Sequence, residues 1–282
     1  MMTLDALAID RRETFLAQLV QEAAAMARAG FERQSAGAVS LKGPQDYLTE
    51  TDGQVEDFLR GRLAAAFPED GFLGEEGGGT PGDAAWVVDP IDGTANFARS
   101  IPHFCISIAF VANGTVQLGA IVNPVLDETY AARLDRGATL NGQPIRVSGV
   151  TDIAASSVEM GWSGRRPLAD YLGAVETLFV AGTNVRRASC GALGLAYVAD
   201  GRSDGYAELH MNPWDCLAGL LMVREAGGVI GPFLSVGGLA EGAPVLAAAP
   251  GVAEVMSRAT GIPLASAVDL LPDAAYQHRR TA

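Results

Sequence analysis

Apolar residues recur along the chain at two spacings, and the changes between them mark its elements. Phe15, Leu16, Leu19, Val20 and the alanine-rich stretch 23–27 fall three and four apart, and Gly30 follows. That spacing predicts an amphipathic helix over residues 11–30, ended by the glycine. Val55, Phe58, Leu59, Leu63, Ala66 and Phe67 repeat the pattern until Pro68. This second helix has Thr51 or Asp52 as its expected N-cap. Between the two, residues 35–44 are small and Gly-bearing and read as a loop or loose hairpin, strand-like over 39–41. Residues 72–76 read as a short strand ending in Glu75 and Glu76, and 77–82 as a glycine-rich loop. The run Trp86-Val87-Val88 then reads as the end of a buried strand, and a helical turn can start at Gly93-Thr94.

Beyond it, two apolar runs over 104–111 and 116–122 flank Asn113-Gly114, the strongest hairpin signal in the chain. Strands are expected over 128–132, 138–140 and 144–147, with a second tight turn at Asn141-Gly142. From about residue 150 helices and strands alternate. Helices are expected over 167–180, 192–199, from Asn212 to Ala226, and over 252–258. Strands are expected over 184–187, 203–208 and 244–248. Residues from Ala265 onward show weak periodicity and read as a loosely attached tail. The expected architecture is α+β, with stacked helix and sheet layers. Its halves, 1–150 and 151–282, are expected to form one compact unit.

Composition narrows the function classes. The 282 residues are 49% apolar with no low-complexity tract, which suits a globular enzyme-sized body. A net charge of −13 with no basic stripe argues against a nucleic-acid partner. Cys105, Cys190 and Cys216 form no CxxC pair and read as buried free thiols in a reducing compartment. The first residues lack a basic segment followed by an apolar run, and no apolar window approaches bilayer length. A cytoplasmic protein with no membrane partner is expected.

The candidate chemistry lies in the acids. Each has a structural account taken alone. Asp89 and Asp92 can form turns around Pro90, Asp52 can cap a helix, and Glu75 and Glu76 can be solvated. Asp215 can sit at the third position of a helix capped by Asn212 with Pro213 behind it. Taken together they form a pattern. Glu75, Asp89 and Asp92 end strand-like runs, while Asp52 and Asp215 open helices, and such ends can converge on one sheet edge. Converging carboxylates repel unless a cation lies between them, and oxygen donors without His or Cys suit Mg²⁺ rather than Zn²⁺. Gly93 and Thr94 add backbone N–H groups able to hold an anion beside that cation.

The hexapeptide Asp89-Pro90-Ile91-Asp92-Gly93-Thr94 resembles the signature of the inositol monophosphatase family of Mg²⁺-dependent, lithium-sensitive phosphatases. The segment 46–52, Gly74-Glu75-Glu76, the stretch 137–148, Trp214-Asp215 and Gly227-Gly228 match in the same order, so the resemblance runs from about residue 13 to 260. It implies a layered αβαβα sandwich, commonly a homodimer, hydrolysing a small phosphate ester with two or three Mg²⁺ ions. Carried over position by position, Glu75, Asp89 and the carbonyl of Ile91 would hold one ion. Asp89, Asp92 and Asp215 would hold another. Thr94 and Asp52 would orient water together with Glu75. The amides of Gly93 and Thr94 would hold the phosphate, and Asp92, Gly191, Ala192 and Glu208 would meet the substrate. Lys42 matches a lysine near an additional metal or the phosphate, with a spacing to Asp46 one residue short. Ser189 and Cys190 stand where the family commonly has Gly-Thr. No histidine base is required, so His103, His210 and His278 are expected to be structural, His210 by polar packing.

The residues after Thr94 are Ala95-Asn96-Phe97, where relatives acting on 3′-phosphoadenosine 5′-phosphate usually carry Lys and an acid. That tilts the reading toward a polyol or sugar phosphate, inositol 1-phosphate first. Histidinol phosphate, fructose 1,6-bisphosphate, 3′-phosphoadenosine 5′-phosphate and NADP remain open. So do a non-catalytic sugar-phosphate-binding protein and a chain whose acids only cap helices.

Overall fold

The computed structural model describes residues 5–33, 40–43 and 46–265. Helix α1 (Ala6–Arg33) leads through β1 (Ser40–Gly43) and β2 (Asp46–Leu48), an antiparallel pair, to α2 (Glu50–Ala66). Then come β3 (Gly71–Gly74), β4 (Gly78–Thr80), β5 (Ala84–Asp92), the single-turn α3 (Thr94–Phe97), β6 (Cys105–Ala112), β7 (Thr115–Asn123), β8 (Glu128–Arg133), β9 (Gly137–Leu140) and β10 (Gln143–Pro144). The remainder comprises β11 (Ser157–Met160), α4 (Leu168–Val180), β12 (Asn184–Arg186), α5 (Gly191–Ala199), β13 (Gly205–Met211), α6 (Pro213–Glu225), β14 (Val229–Ile230), α7 (Gly238–Glu241), β15 (Ala243–Ala248) and α8 (Pro250–Thr260).

Among the described residues, β10-β9-β8-β7-β6-β5-β3-β4 form an eight-stranded sheet and β12-β11-β13-β15-β14 a five-stranded one. The first sheet is antiparallel except where β3 runs parallel to β5. In the second, β11 runs parallel to both β12 and β13. Three apolar clusters order the layers. The buried faces of α1 and α2 (Leu19, Ala23, Val55, Leu59) pack on Trp86, Ile106 and Phe110 of the large sheet. On its other side α5 and α6 (Leu195, Ala196, Cys216, Leu220) fill the space to Tyr206 and Val245 of the small sheet. Helices α4 and α8 (Leu178, Val252, Met256) cover the outer face of that sheet. The result is an αβαβα sandwich whose middle helices are apolar nearly all round. Both their faces meet a sheet.

Several elements differ from the sequence reading. Helix α1 does not stop at Gly30 but runs to Arg33. The glycine is there for space, since a Cβ at that position would lie 2.5 Å from Thr51 Oγ1 on the neighbouring helix. The cap of α2 is Thr49, not Thr51 or Asp52, and Asp52 occupies the third helical position. The strand expected over 144–147 reduces to Gln143–Pro144. Strand β11 carried no signal, because Ser157 and Glu159 break its apolar run and Glu159 is nonetheless buried. The two hairpin turns lie where Asn-Gly stands, with φ of 51° and 74° at Asn113-Gly114 and 49° and 76° at Asn141-Gly142.

Candidate active site

Strand β5 breaks its ladder where the acids begin. Asp89 pairs with Ser107 and Asp92 with Cys105, so two residues of β5, Pro90 and Ile91, stand opposite one of β6, Ile106. Pro90 has no N–H to give the ladder, and the Ile91 N–H donates instead to Asp89 Oδ1 at 2.9 Å. The bulge turns Asp89 and Asp92 toward the same end of the sheet. Helix α6 brings Asp215 to them, and one carboxylate oxygen from each of Asp89, Asp92 and Asp215 lies within 4.8 Å of the others.

Asp215 and Asp52 both occupy the third position of a helix, each accepting from the N-cap residue before it, and both face this cleft. Asn212 N–H donates to Asp215 Oδ2 at 3.2 Å, closing the cap of α6. Thr49 N–H donates to Asp52 Oδ2 at 3.0 Å, and the Thr49 hydroxyl donates to the same oxygen. The other oxygen, Asp52 Oδ1, lies 3.2 Å from Thr94 Oγ1, which is also 2.9 Å from the Ile91 carbonyl. Capping therefore accounts for one carboxylate oxygen of Asp52 and leaves the other for the cleft. Glu75 follows β3, and its N–H donates to Val88 O at 3.2 Å, which keeps it level with Asp89 on the adjacent strand.

The charges are poorly solvated. Burial, then the charges of Glu75, Asp92 and Asp215, hold the Asp89 carboxyl well above its ordinary range. Burial raises Asp92, against the pull of the Ala192 amide and the Cys190 thiol. Asp215 is pushed up to about 7 by burial and by Asp92, and Asp52 to about 6 by burial. A divalent cation among these oxygens would relieve both the desolvation and the repulsion. The donor set is all oxygen, as a hard cation requires. The residues present therefore fit such an ion.

The elements next to Asp92 are α3 and α5. Gly93 has φ of 91° and serves as the N-cap of α3; a Cβ there would sit 3.0 Å from His103 O. Only glycine fits that turn, which leads the chain from β5 into α3. Helix α5 points its N-terminus at Asp92, whose Oδ2 accepts the Ala192 N–H at 2.6 Å, with the Gly191 and Gly93 amides also directed to that carboxylate. Ser189 adopts φ of 61° ahead of Cys190 and Gly191. Asn96 holds this turn, donating to His103 O at 2.8 Å and to Ala188 O at 2.9 Å. Glu208 accepts the Tyr206 hydroxyl at 2.7 Å and is pushed up to about 8, chiefly by burial.

Two further residues support the acids. Glu56, buried on α2, accepts the amides of Glu76 and Gly77, each at 2.8 Å, and so fixes the turn that carries Glu75. Its signal in the sequence is an acid on an otherwise apolar helix face, four residues after Asp52. Tyr206, buried beneath Glu208, has none beyond its place in an apolar run. Lys42 and Asp46 lie on β1 and β2, and their side chains are outside the described residues, as is His278. His210 Nε2 lies 3.1 Å from Glu241 O, and the His103 ring packs 5.9 Å from that of Tyr197.

The model of the inositol monophosphatase family matches residues 9–254. An inositol-1-monophosphatase of Mesorhizobium japonicum is 41% identical over 197 residues, covering 68% of this chain and 74% of that protein. One of Rhizobium meliloti is 44% identical, covering 67% and 73%. The Nus factor SuhB of Pseudomonas aeruginosa is 38% identical over 211 residues, covering 72% and 78%. Among solved structures, the extragenic suppressor protein SuhB of Bartonella henselae superposes with a TM-score of 0.80 at 33% identity, covering 88% of this chain and 97% of that one. The inositol monophosphatase of Thermotoga maritima gives 0.79 at 31%, covering 89% and 96%.

Proposed function

Because the chain belongs to the inositol monophosphatase family and is thereby a phosphatase, we propose that it hydrolyses a small polyol phosphate, inositol 1-phosphate foremost, with Mg²⁺ held by its clustered carboxylates. The observation that carries this reading is the convergence of Asp89, Asp92 and Asp215 from two distant elements onto one 4.8 Å cluster. Glu75, Asp89 and the Ile91 carbonyl would hold one ion, and Asp89, Asp92 and Asp215 another. Bound Mg²⁺ would neutralise the phosphate, stabilise the ester oxygen as it leaves and make water acidic near neutral pH.

The chain's own groups then have defined work. Thr94 Oγ1 orients the attacking water and passes a proton to Asp52 Oδ1. With its carboxyl near 6, Asp52 can accept one close to neutral pH. The Thr94 amide at the start of α3 would meet the phosphate, while the Gly93 amide is directed to the Asp92 carboxylate. Glu208 takes hydrogen bonds from substrate hydroxyls, anchored by Tyr206.

The test is a comparison of kcat/KM on inositol 1-phosphate, histidinol phosphate, fructose 1,6-bisphosphate and 3′-phosphoadenosine 5′-phosphate in Mg²⁺. Inositol 1-phosphate is expected to lead, and a clear preference for the nucleotide would reject the polyol assignment. The same reading includes a homodimer. Leu168, Leu172 and Phe179 form one exposed apolar stripe on α4, which a second copy would cover. Sedimentation velocity at micromolar concentration is expected to give a dimer, and a monomer alone would reject it.

No described helix is long and apolar enough to cross a membrane.

A further inference from the structure

Cys105 and Cys190 are 85 positions apart, yet their Sγ atoms lie 3.7 Å from each other. Cys105 sits on β6 directly across the ladder from Asp92, and Cys190 is the N-cap of α5. Both thiols reach the same carboxylate oxygen: Asp92 Oδ2 is 3.2 Å from Cys190 Sγ and 3.9 Å from Cys105 Sγ. Both cysteines are buried, while Asp92 stays partly open to the cleft. The three donor atoms all lie within 4.8 Å of one another.

We propose that Cys105, Cys190 and Asp92 form a second cation site, selective for a thiophilic divalent ion such as Zn²⁺, that competes with the hard-cation centre for Asp92. The spacing is that of a tetrahedral ion. Zinc–sulfur bonds of about 2.3 Å and a zinc–oxygen bond of about 2.0 Å set sulfur–sulfur near 3.8 Å and sulfur–oxygen near 3.5 Å. The observed sulfur pair stands at 3.7 Å, and the two sulfur–oxygen distances, 3.2 and 3.9 Å, bracket the second figure. A disulfide would need the sulfurs to close to about 2.05 Å.

Two S–H bonds break, two zinc–sulfur bonds form, and two protons pass to solvent; no electrons are transferred. Asp92 Oδ2 keeps the Ala192 N–H on one lone pair and offers the other to the ion. Magnesium, which prefers oxygen donors and octahedral geometry, gains nothing from the sulfurs. Occupancy takes Asp92 from the carboxylate cluster and so inhibits phosphate release. That consequence rests on the catalytic reading of Asp92; the binding itself does not. Cys216 lies outside the trio, with its thiol directed to Asn212 O at 3.3 Å.

The experiment titrates the full chain, kept reduced by a phosphine and in excess Mg²⁺, with Cd²⁺. The sulfur-to-cadmium charge-transfer band is followed. The band is expected to saturate at one equivalent, to disappear in Cys105→Ala and in Cys190→Ala, and to persist in Cys216→Ala. Circular dichroism melts identify variants that fold, and the serine substitutions at 105 and 190 ask the same question if an alanine variant does not. No band at one equivalent in folded protein with all thiols free overturns the site, as does a band that survives Cys190→Ala. Loss of free thiols without cadmium binding shows oxidation instead and also overturns it. In parallel, Zn²⁺ is expected to inhibit phosphate release, with at least tenfold lower sensitivity in Cys190→Ala. A normal band without inhibition counts against the catalytic reading of Asp92 and leaves the cation site standing.

Discussion

Asp89→Asn is expected to reduce kcat for phosphomonoester hydrolysis by at least about 10³-fold, roughly 4 kcal/mol of transition-state stabilisation, while the fold survives. Asp89 is the most enclosed of the clustered acids, and the charges of Glu75, Asp92 and Asp215 all bear on it. An amide at this position keeps an oxygen for the Ile91 N–H, so the bulge at Pro90 is retained. The negative charge that a cation would need is lost. Relief of repulsion should also leave the metal-free variant at least as stable as the parent at pH 8. Steady-state phosphate release and a thermal melt in EDTA read the two effects separately. Retained turnover would remove Asp89 from the chemistry. A large fall in melting temperature with turnover per folded molecule intact would make the residue structural.

The metal-free protein is expected to lose stability as pH rises from about 4 to 8. Asp52, Asp215 and Glu208 have folded values of about 6, 7 and 8, above their ordinary values. A carboxyl raised in this way binds its proton more tightly in the folded chain than in the unfolded one. Its stabilising contribution is complete below the unfolded value and is lost as pH climbs through the folded one. Each pH unit over which one such proton is held only by the folded state changes stability by about 1.4 kcal/mol. Even one of these groups would lower the melting temperature by roughly 5–10 °C between pH 4 and 8. Saturating Mg²⁺ should flatten the decline, because the cation replaces the protons. Melting curves across that range, in EDTA and in Mg²⁺, test this. A melting temperature that is flat or rising in EDTA would show that the carboxylates are not mutually strained.

The sequence made the strand-end acids and the hairpins of the large sheet legible because both rest on local chemistry. Asn-Gly at 113–114 sets its turn by φ alone, and Asn212-Pro213 announces α6 before its first apolar residue. The αβαβα order came from the family resemblance, since the pattern of elements implied stacked helix and sheet layers but not their sequence through the molecule. The errors arise where tertiary contacts decide. Gly30 looks like a helix stop until Thr51 is seen against it. Thr49 outcompetes Thr51 and Asp52 as a cap because Asp52 turns back to it. Strand β11 gives no signal because its buried Glu159 reads as a surface residue; in the fold it accepts the Ala188 N–H at 3.0 Å. At the site, the acids were recognisable by position, but what steadies them was not. Glu56 works through the Glu76 and Gly77 amides 20 and 21 residues away, and the Cys105–Cys190 contact exists only once α5 lies against β6.

The central claim is that clustered carboxylates perform phosphomonoester hydrolysis through a hard divalent cation. Its most direct test is inorganic phosphate release from inositol 1-phosphate by the intact chain, first in excess EDTA and then after Mg²⁺ is restored. The expected result is no turnover in EDTA and full recovery with Mg²⁺. Undiminished release in EDTA would contradict the account.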